Sequence, residues 1–309
     1  MTIRSFYQFI HHNRNRAFLR SVHILIPEFW SYPAYPAVKE NIETAEIVIE
    51  RPNPAYGDSP YTLQSGDCGD PGDHIHLTPW YVNNFRDQAE LLYGKAEKVM
   101  VHQWAKVRWG VYEEYGYPGD QKFPMFYLKT LWTSSGQTEV VKPNFCSNKE
   151  LSGVSFDLET GGECSTDPLT GRPDSNCYFL PDQANTANSS YMALPFLESI
   201  TDFCDSSEDL LHLDDIPTKQ NLFCDGRSPW SVILENEDFA NGSNEPVVIL
   251  DEETVPEILV VKAERTKYVV VMDVSGSMDA NPQTGLYRGG NMKEIFQITS
   301  HIQQIYIYF

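Results

Sequence analysis

The 309-residue chain is 41% hydrophobic, enough to build one large core or two modest ones, so a disordered tail is excluded. Its 23 basic residues stand against 43 acidic ones, a formal charge of −20 that repels a phosphate backbone, and no nucleic-acid partner is expected. No run approaches the roughly 20 uninterrupted apolar residues of a spanning helix, so no transmembrane segment is expected in this chain.

In chain order, the first 20 residues carry Arg4, His11, His12, Arg14, Arg16 and Arg20. They lack the apolar stretch of roughly 7–15 residues that a secretory signal requires, and no signal peptide is expected in this chain. Residues 22–26 (VHILI), closed by Pro27, and 45–49 (AEIVI), followed by Pro52 and Pro54, read as buried strands. Between Pro60 and Pro79 a Gly/Asp-rich stretch containing His74 and His76 reads as a loop. From 81 to 111 the apolar spacing becomes helical, through Phe85, Ala89, Leu92, Val99, Trp104 and Val107, broken at Gly94 and ended by Gly110. Strand, loop, strand and helix predict an α/β fold.

Residues 123–230 alternate short apolar runs with turns, and residues 236–257 are polar and acidic, as in a linker. Residues 267–272 (KYVVVM) form a β-branched run of the kind central parallel strands show, and a helix is expected over 291–307. The final run 305–309 is apolar with nothing expected to cover it.

Cys146, Cys164, Cys177, Cys204 and Cys224 fall in the turn-rich region, with Cys68 apart from them, and no pair makes a CxxC. A zinc ribbon therefore has no support, while disulfides among the six suit the spacing. Two sequons, at Asn188 and Asn241, would suit a glycosylated exterior. Residues 198–264 hold 17 acidic and 3 basic residues, read as a solvated segment.

Two places carry chemistry. In a zincin helix, HExxH sets two imidazoles one turn apart to grip zinc, and the Glu between them activates the bound water. Here the segment reads His102-Gln103-Trp104-Ala105-Lys106, with Glu113 further on. Lys106 is a cation that repels zinc, and the neutral amide of Gln103 cannot act as a base, so the segment alone reads as an ordinary amphipathic helix. The second place is Asp273-Val274-Ser275-Gly276-Ser277-Met278, directly after the KYVVVM strand. There Asp273, Ser275 and Ser277 offer one carboxylate and two hydroxyls to a hard divalent cation, Mg²⁺ or Ca²⁺.

At these residues the chain resembles the calcium-activated chloride channel regulators, whose N-terminal part is a zincin-like domain followed by a von Willebrand factor A domain. The resemblance is carried by residues 22–27 (VHILIP), Cys68-Gly69, residues 75–79, the helix over 101–115, Phe203-Cys204, Trp230, Glu237-Asp238-Phe239 and residues 273–278 (DVSGSM). The family's pattern HEWAHLRWGVxDEY puts its zinc ligands at positions matching His102, Lys106 and Glu113, and its catalytic Glu at Gln103. The resemblance thus implies a pseudoprotease, with no catalytic residue and no zinc expected. It also implies a partial metal-ion-dependent adhesion site at Asp273, Ser275 and Ser277, whose later ligands are expected outside this chain. The implied organisation is a zincin-like domain over 1–145, its Cys-rich extension over 146–235, an acidic linker over 236–265 and the beginning of the A domain over 266–309.

The function implied is non-catalytic modulation of chloride conductance through extracellular protein contacts, the partner being a chloride channel or another membrane protein. Two alternatives stay open. One is a zinc metalloprotease with a rearranged site, in which His74 or His76 joins His102 and Glu113. The other is an unrelated cytosolic acidic protein with reduced thiols.

Overall fold

The computed structural model describes residues 16–17, 19–26, 35–38, 44–134, 136–246, 256–263 and 305–308. A seven-stranded sheet is built from β1 (Ser21–Ile26), β2 (Ala37–Val38), β3 (Ile47–Ile49), β4 (Tyr61–Leu63), β5 (His74–Leu77), β10 (Glu257–Ala263) and β11 (Ile305–Tyr308). Its strand order is β2-β10-β1-β11-β3-β5-β4. β1 pairs in parallel with β10, and β3 with β5, while β11 runs antiparallel between β1 and β3. The chain is therefore a mixed α/β protein.

The two apolar runs form β1 and β3 as their composition predicts. The stretch between Pro60 and Pro79 is not all loop, because its two ends form the antiparallel pair β4 and β5, with Tyr61 opposite His76. Its Gly and Asp residues make the connection between those strands. β10 arises from residues 257–263, within the stretch read as a linker, where the EILVV run pairs residue by residue with β1. Ile305–Tyr308 is a strand paired on both sides, so residues 305–307, expected as the end of a helix, are strand instead. The KYVVVM run at 267–272 and residues 291–304 of the expected helix lie outside the described residues.

Three helices replace the single pattern over 81–111: α1 (Pro79–Asn84), α2 (Gln88–Tyr93) and α3 (Ala96–Trp109). α1 starts where the Thr78 hydroxyl accepts from the Tyr81 amide, with Pro79 in the first turn, where a missing N–H costs nothing. α3 stops at Gly110, whose φ of 63° is left-handed. A Cβ at Gly110 would lie 2.2 Å from the Asp70 carbonyl oxygen, so the close approach of the 66–70 loop also demands glycine.

α3 is not amphipathic: eleven of its fourteen residues are buried. One face, Val99, Met100 and Val107, packs on Val22, Ile47, Ile75 and Leu77 of the sheet. The other, Val101, Ala105 and Trp109, packs into a second core with Tyr191, Leu194, Phe203 and Trp230 from the Cys-rich region. A helix covered on both sides shows no single apolar stripe, and here polar side chains are buried along with the apolar ones.

After α3 come two antiparallel pairs, β6 (Phe126–Thr133) with β7 (Gly136–Pro143) and, in the Cys-rich region, β8 (Gly153–Asp157) with β9 (Cys177–Pro181), then the short helices α4 (Lys219–Phe223) and α5 (Pro229–Glu235). Arg108 locks the segment after α5 onto α3. Its Nε and Nη2 donate to the two Asp238 oxygens at 2.8 and 2.5 Å, and the Trp109 indole N–H adds a third bond to that carboxylate.

Candidate functional site

Because α3 lies between two cores, the polar side chains of its central turns are buried and must find partners within the protein. His102, Gln103 and Lys106 are each about 5% exposed or less. His102 and Lys106 stand one turn apart on the same face. His102 Nδ1 donates to the Tyr191 carbonyl at 2.9 Å, which leaves the Nε2 lone pair free, the arrangement that orients a ligating imidazole. Burial first, and the neighbouring Lys106 ammonium second, lower the His102 pKa to about 4, so the ring is neutral at physiological pH.

Glu113 arrives three residues after the Gly110 turn, and its carboxylate closes on the Lys106 ammonium through one oxygen. The second oxygen lies 3.3 Å from Lys219 Nζ, and that ammonium also sits 4.6 Å above the Tyr117 ring. Burial alone would raise the pKa of Glu113, but the Lys106 and Lys219 ammoniums outweigh it and hold the carboxyl well below the usual range. A tethered cation thus fills the place where a zinc ion would bridge these side chains. Zinc does not fit this donor set, because the carboxylate is already shared by two ammoniums and one ligand position is itself an ammonium.

Gln103 has been absorbed equally fully. Its amide nitrogen donates to the Pro60 carbonyl at 3.0 Å, and its oxygen accepts from the Thr62 hydroxyl at 2.8 Å. A Glu here would turn a carboxylate oxygen towards the Pro60 carbonyl, two acceptors with no proton between them. A cavity of about 220 Å³ opens beside His102 and Gln103, walled by Tyr115, Tyr117, Tyr178 and Phe196.

His76 is buried on β5 and stacks on Tyr61 at 4.7 Å, and His74 is half-buried at the start of the same strand. Neither enters a cluster of three metal-ligating groups with His102 and Glu113 among the described residues. Cys68 is bonded to Cys224 and Cys164 to Cys177, while Cys146 and Cys204 are buried thiols. Asn188 is half-buried and exchanges hydrogen bonds with Asn148, whereas Asn241 is exposed. Asp273, Ser275 and Ser277 lie outside the described residues.

One grouping escaped the sequence reading altogether. Glu114, Cys146, Cys204 and His212 place their donor atoms within 4.8 Å of one another. They span residues 114 to 212 with no short spacing, so no local pattern announces them.

Residues 1–245 match the family described as "Calcium-activated chloride channel N terminal". The chain is 34% identical to calcium-activated chloride channel regulator 1 of Bos taurus over 93% of its own length and 30% of that protein. It is 34% identical to regulator 3A-1 of Mus musculus, covering 86% of this chain and 28% of that one. Against regulator 4 of Homo sapiens the identity is 32%, over 85% and 27% of the two chains. No solved structure matches. The chain spans less than a third of the length of these relatives, and the matched region contains α3, the Cys-rich region and both disulfides. The chain belongs to the calcium-activated chloride channel regulator family, through that family's N-terminal domain.

Proposed function

We propose that this chain is a non-catalytic member of its family that acts outside the cell through protein contacts, modulating chloride conductance by engaging a chloride channel or another membrane protein. The observation that carries this reading is the buried Lys106–Glu113 pair, joined by half-buried Lys219, where ammoniums take the place of a metal. The absorption of Gln103 by Pro60 and Thr62 supports it, because the base position holds a group with no proton affinity to spare. The two disulfides favour an oxidising compartment, against the cytosolic alternative. The link to chloride conductance comes from the relatives' names. No helix among the described residues is long and apolar enough to cross a membrane. In this reading Asp273, Ser275 and Ser277 form a partial site for Mg²⁺ or Ca²⁺, of poor affinity because three side chains supply at most half of the six or more oxygens the ion takes.

The test is proteolysis measured on protein and peptide substrates, with and without a chelator. The chain is expected to cleave none, and chelator-sensitive cleavage would overturn the reading. Recording whole-cell chloride current on addition of the secreted chain tests the second half. A changed current that survives His102→Ala supports action by contact, and a change that His102→Ala removes counts against it. Calorimetry with Mg²⁺ tests the adhesion site, where Asp273→Ala is expected to abolish any binding.

A further inference from the structure

The four side chains behind the degenerate helix form a closed shell. Glu114, Cys146 and Cys204 are fully buried, and the His212 side chain is 6% exposed. They converge from four segments: the residue after Glu113, the exit from β7, the loop before the Glu208–Leu210 turn, and the loop after it. Cys146 is held to Glu114 by a backbone bond of 2.8 Å from its amide to the Glu114 carbonyl.

The contacts within the shell call for a cation. Asn221 settles the His212 tautomer: its amide nitrogen donates to the Leu213 and Ile216 carbonyls at 2.7 and 2.9 Å, so its oxygen must face His212 Nε2, 2.7 Å away. Nε2 therefore carries hydrogen, as in a histidine anchored from behind. Nδ1 then looks into the shell, 2.8 Å from Glu114 Oε1 and 3.7 Å from Cys146 Sγ. Either a second ring proton, making His212 an imidazolium that donates to the carboxylate, or a metal ion in that proton's place joins the two groups. The other carboxylate oxygen, Glu114 Oε2, is buried without any hydrogen-bond partner. The Leu213 amide donates to Cys146 Sγ at 3.3 Å, an acceptor role that suits a thiolate better than a thiol.

We propose that Glu114, Cys146, Cys204 and His212 bind one structural Zn²⁺ ion, a site separate from the helix motif. Two sulfurs, an imidazole and a carboxylate form a donor set zinc accepts in a four-coordinate shell without an open position. Binding displaces the thiol protons to solvent. The sulfurs lie 2.8 Å apart. Tetrahedral Zn–S bonds of about 2.3 Å set them about 3.8 Å apart, so they part by about 1 Å on loading. A third disulfide is the competing state, since it would need the sulfurs to close to about 2.0 Å. It would leave Glu114 Oε2 unpartnered, whereas zinc gives that oxygen a ligand to face.

The experiment uses the full chain, secreted from eukaryotic cells in zinc-containing medium, so that metal and disulfide compete under native conditions. Elemental analysis after dialysis is expected to find about one zinc per chain, and X-ray absorption at the zinc edge two sulfurs with two lighter ligands. Cobalt exchange is expected to give a thiolate-to-cobalt charge-transfer band. Cys204→Ser and His212→Ala should each lower retained zinc at least tenfold, and His102→Ala should leave it unchanged. Peptide mapping that finds Cys146 joined to Cys204 in metal-free protein would overturn the proposal. So would zinc lost on His102→Ala, or a shell without sulfur. The absorption spectrum needs no variant, so it decides even where a substituted chain fails to fold.

Discussion

Position 106 holds a side chain that brings its own positive charge into a space where the family pattern has a neutral ligand, and Glu113 now depends on it. Removing that charge by Lys106→Met leaves the buried carboxylate with Lys219 alone, and we expect a loss of about 3–5 kcal/mol in denaturant unfolding. Lys106→Met combined with Glu113→Leu should recover most of it, because an apolar pair avoids the desolvation cost. His102 adds a pH dependence. Its folded pKa of about 4 lies below its ordinary 6.5, so the unfolded chain takes up a proton that the folded chain refuses. That contribution is fully present above pH 6.5 and is lost as pH falls towards 4, an effect of up to about 3 kcal/mol. Glu113, also depressed, loses its own contribution further into acid. His102→Gln should flatten the thermal-unfolding profile between pH 6.5 and 4, and an unchanged profile would refute the assignment. Of the two sequons, exposed Asn241 is expected to carry glycan when the chain passes through the secretory route, read by glycopeptide mass.

At the level of elements, the two disulfides differ mainly in what they enclose. Cys68–Cys224 ties residues 156 apart and Cys164–Cys177 residues 13 apart. Chain-entropy arithmetic gives about 5 kcal/mol for the first and about 3 for the second. Paired Cys→Ser replacements measured by thermal unfolding should show the long bridge costing more, and the reverse order would mean that strain or residual structure dominates. The elements legible in the sequence were those with local signals: the VHILI and AEIVI runs, and a helix ended by Gly110. β4 and β5 were hidden because each is short and bordered by Gly and Asp, so composition spoke for the connection and not for the strands. β10 was hidden by acidic neighbours. At the site, the replacements at 103 and 106 could be read residue by residue against the family pattern. The partners that satisfy them, Pro60, Thr62 and Lys219, come from distant segments, and only the fold brings them in. The Glu114, Cys146, Cys204 and His212 shell was illegible for the same reason.

For the whole molecule, a formal charge of −20 imposes self-repulsion on the compact state. Raising ionic strength from about 0.01 to 0.15 M shortens the Debye length from about 30 to 8 Å. We therefore expect the Tm to rise by several degrees over that range, measured by scanning calorimetry with a neutral osmolyte as control. A fall in Tm would mean that ion pairs such as Arg108–Asp238 outweigh the repulsion. The way Gln103 and Lys106 are bonded also bears on descent. A lone return to Glu at 103 sets a carboxylate against the Pro60 carbonyl, and a lone return to His at 106 strips Glu113 of its nearest counter-charge. Each single change is therefore expected to lower stability on its own. A zinc site on α3 would thus need several concerted substitutions, because each of these buried side chains is bonded to partners from distant segments, whereas exposed positions can change one at a time.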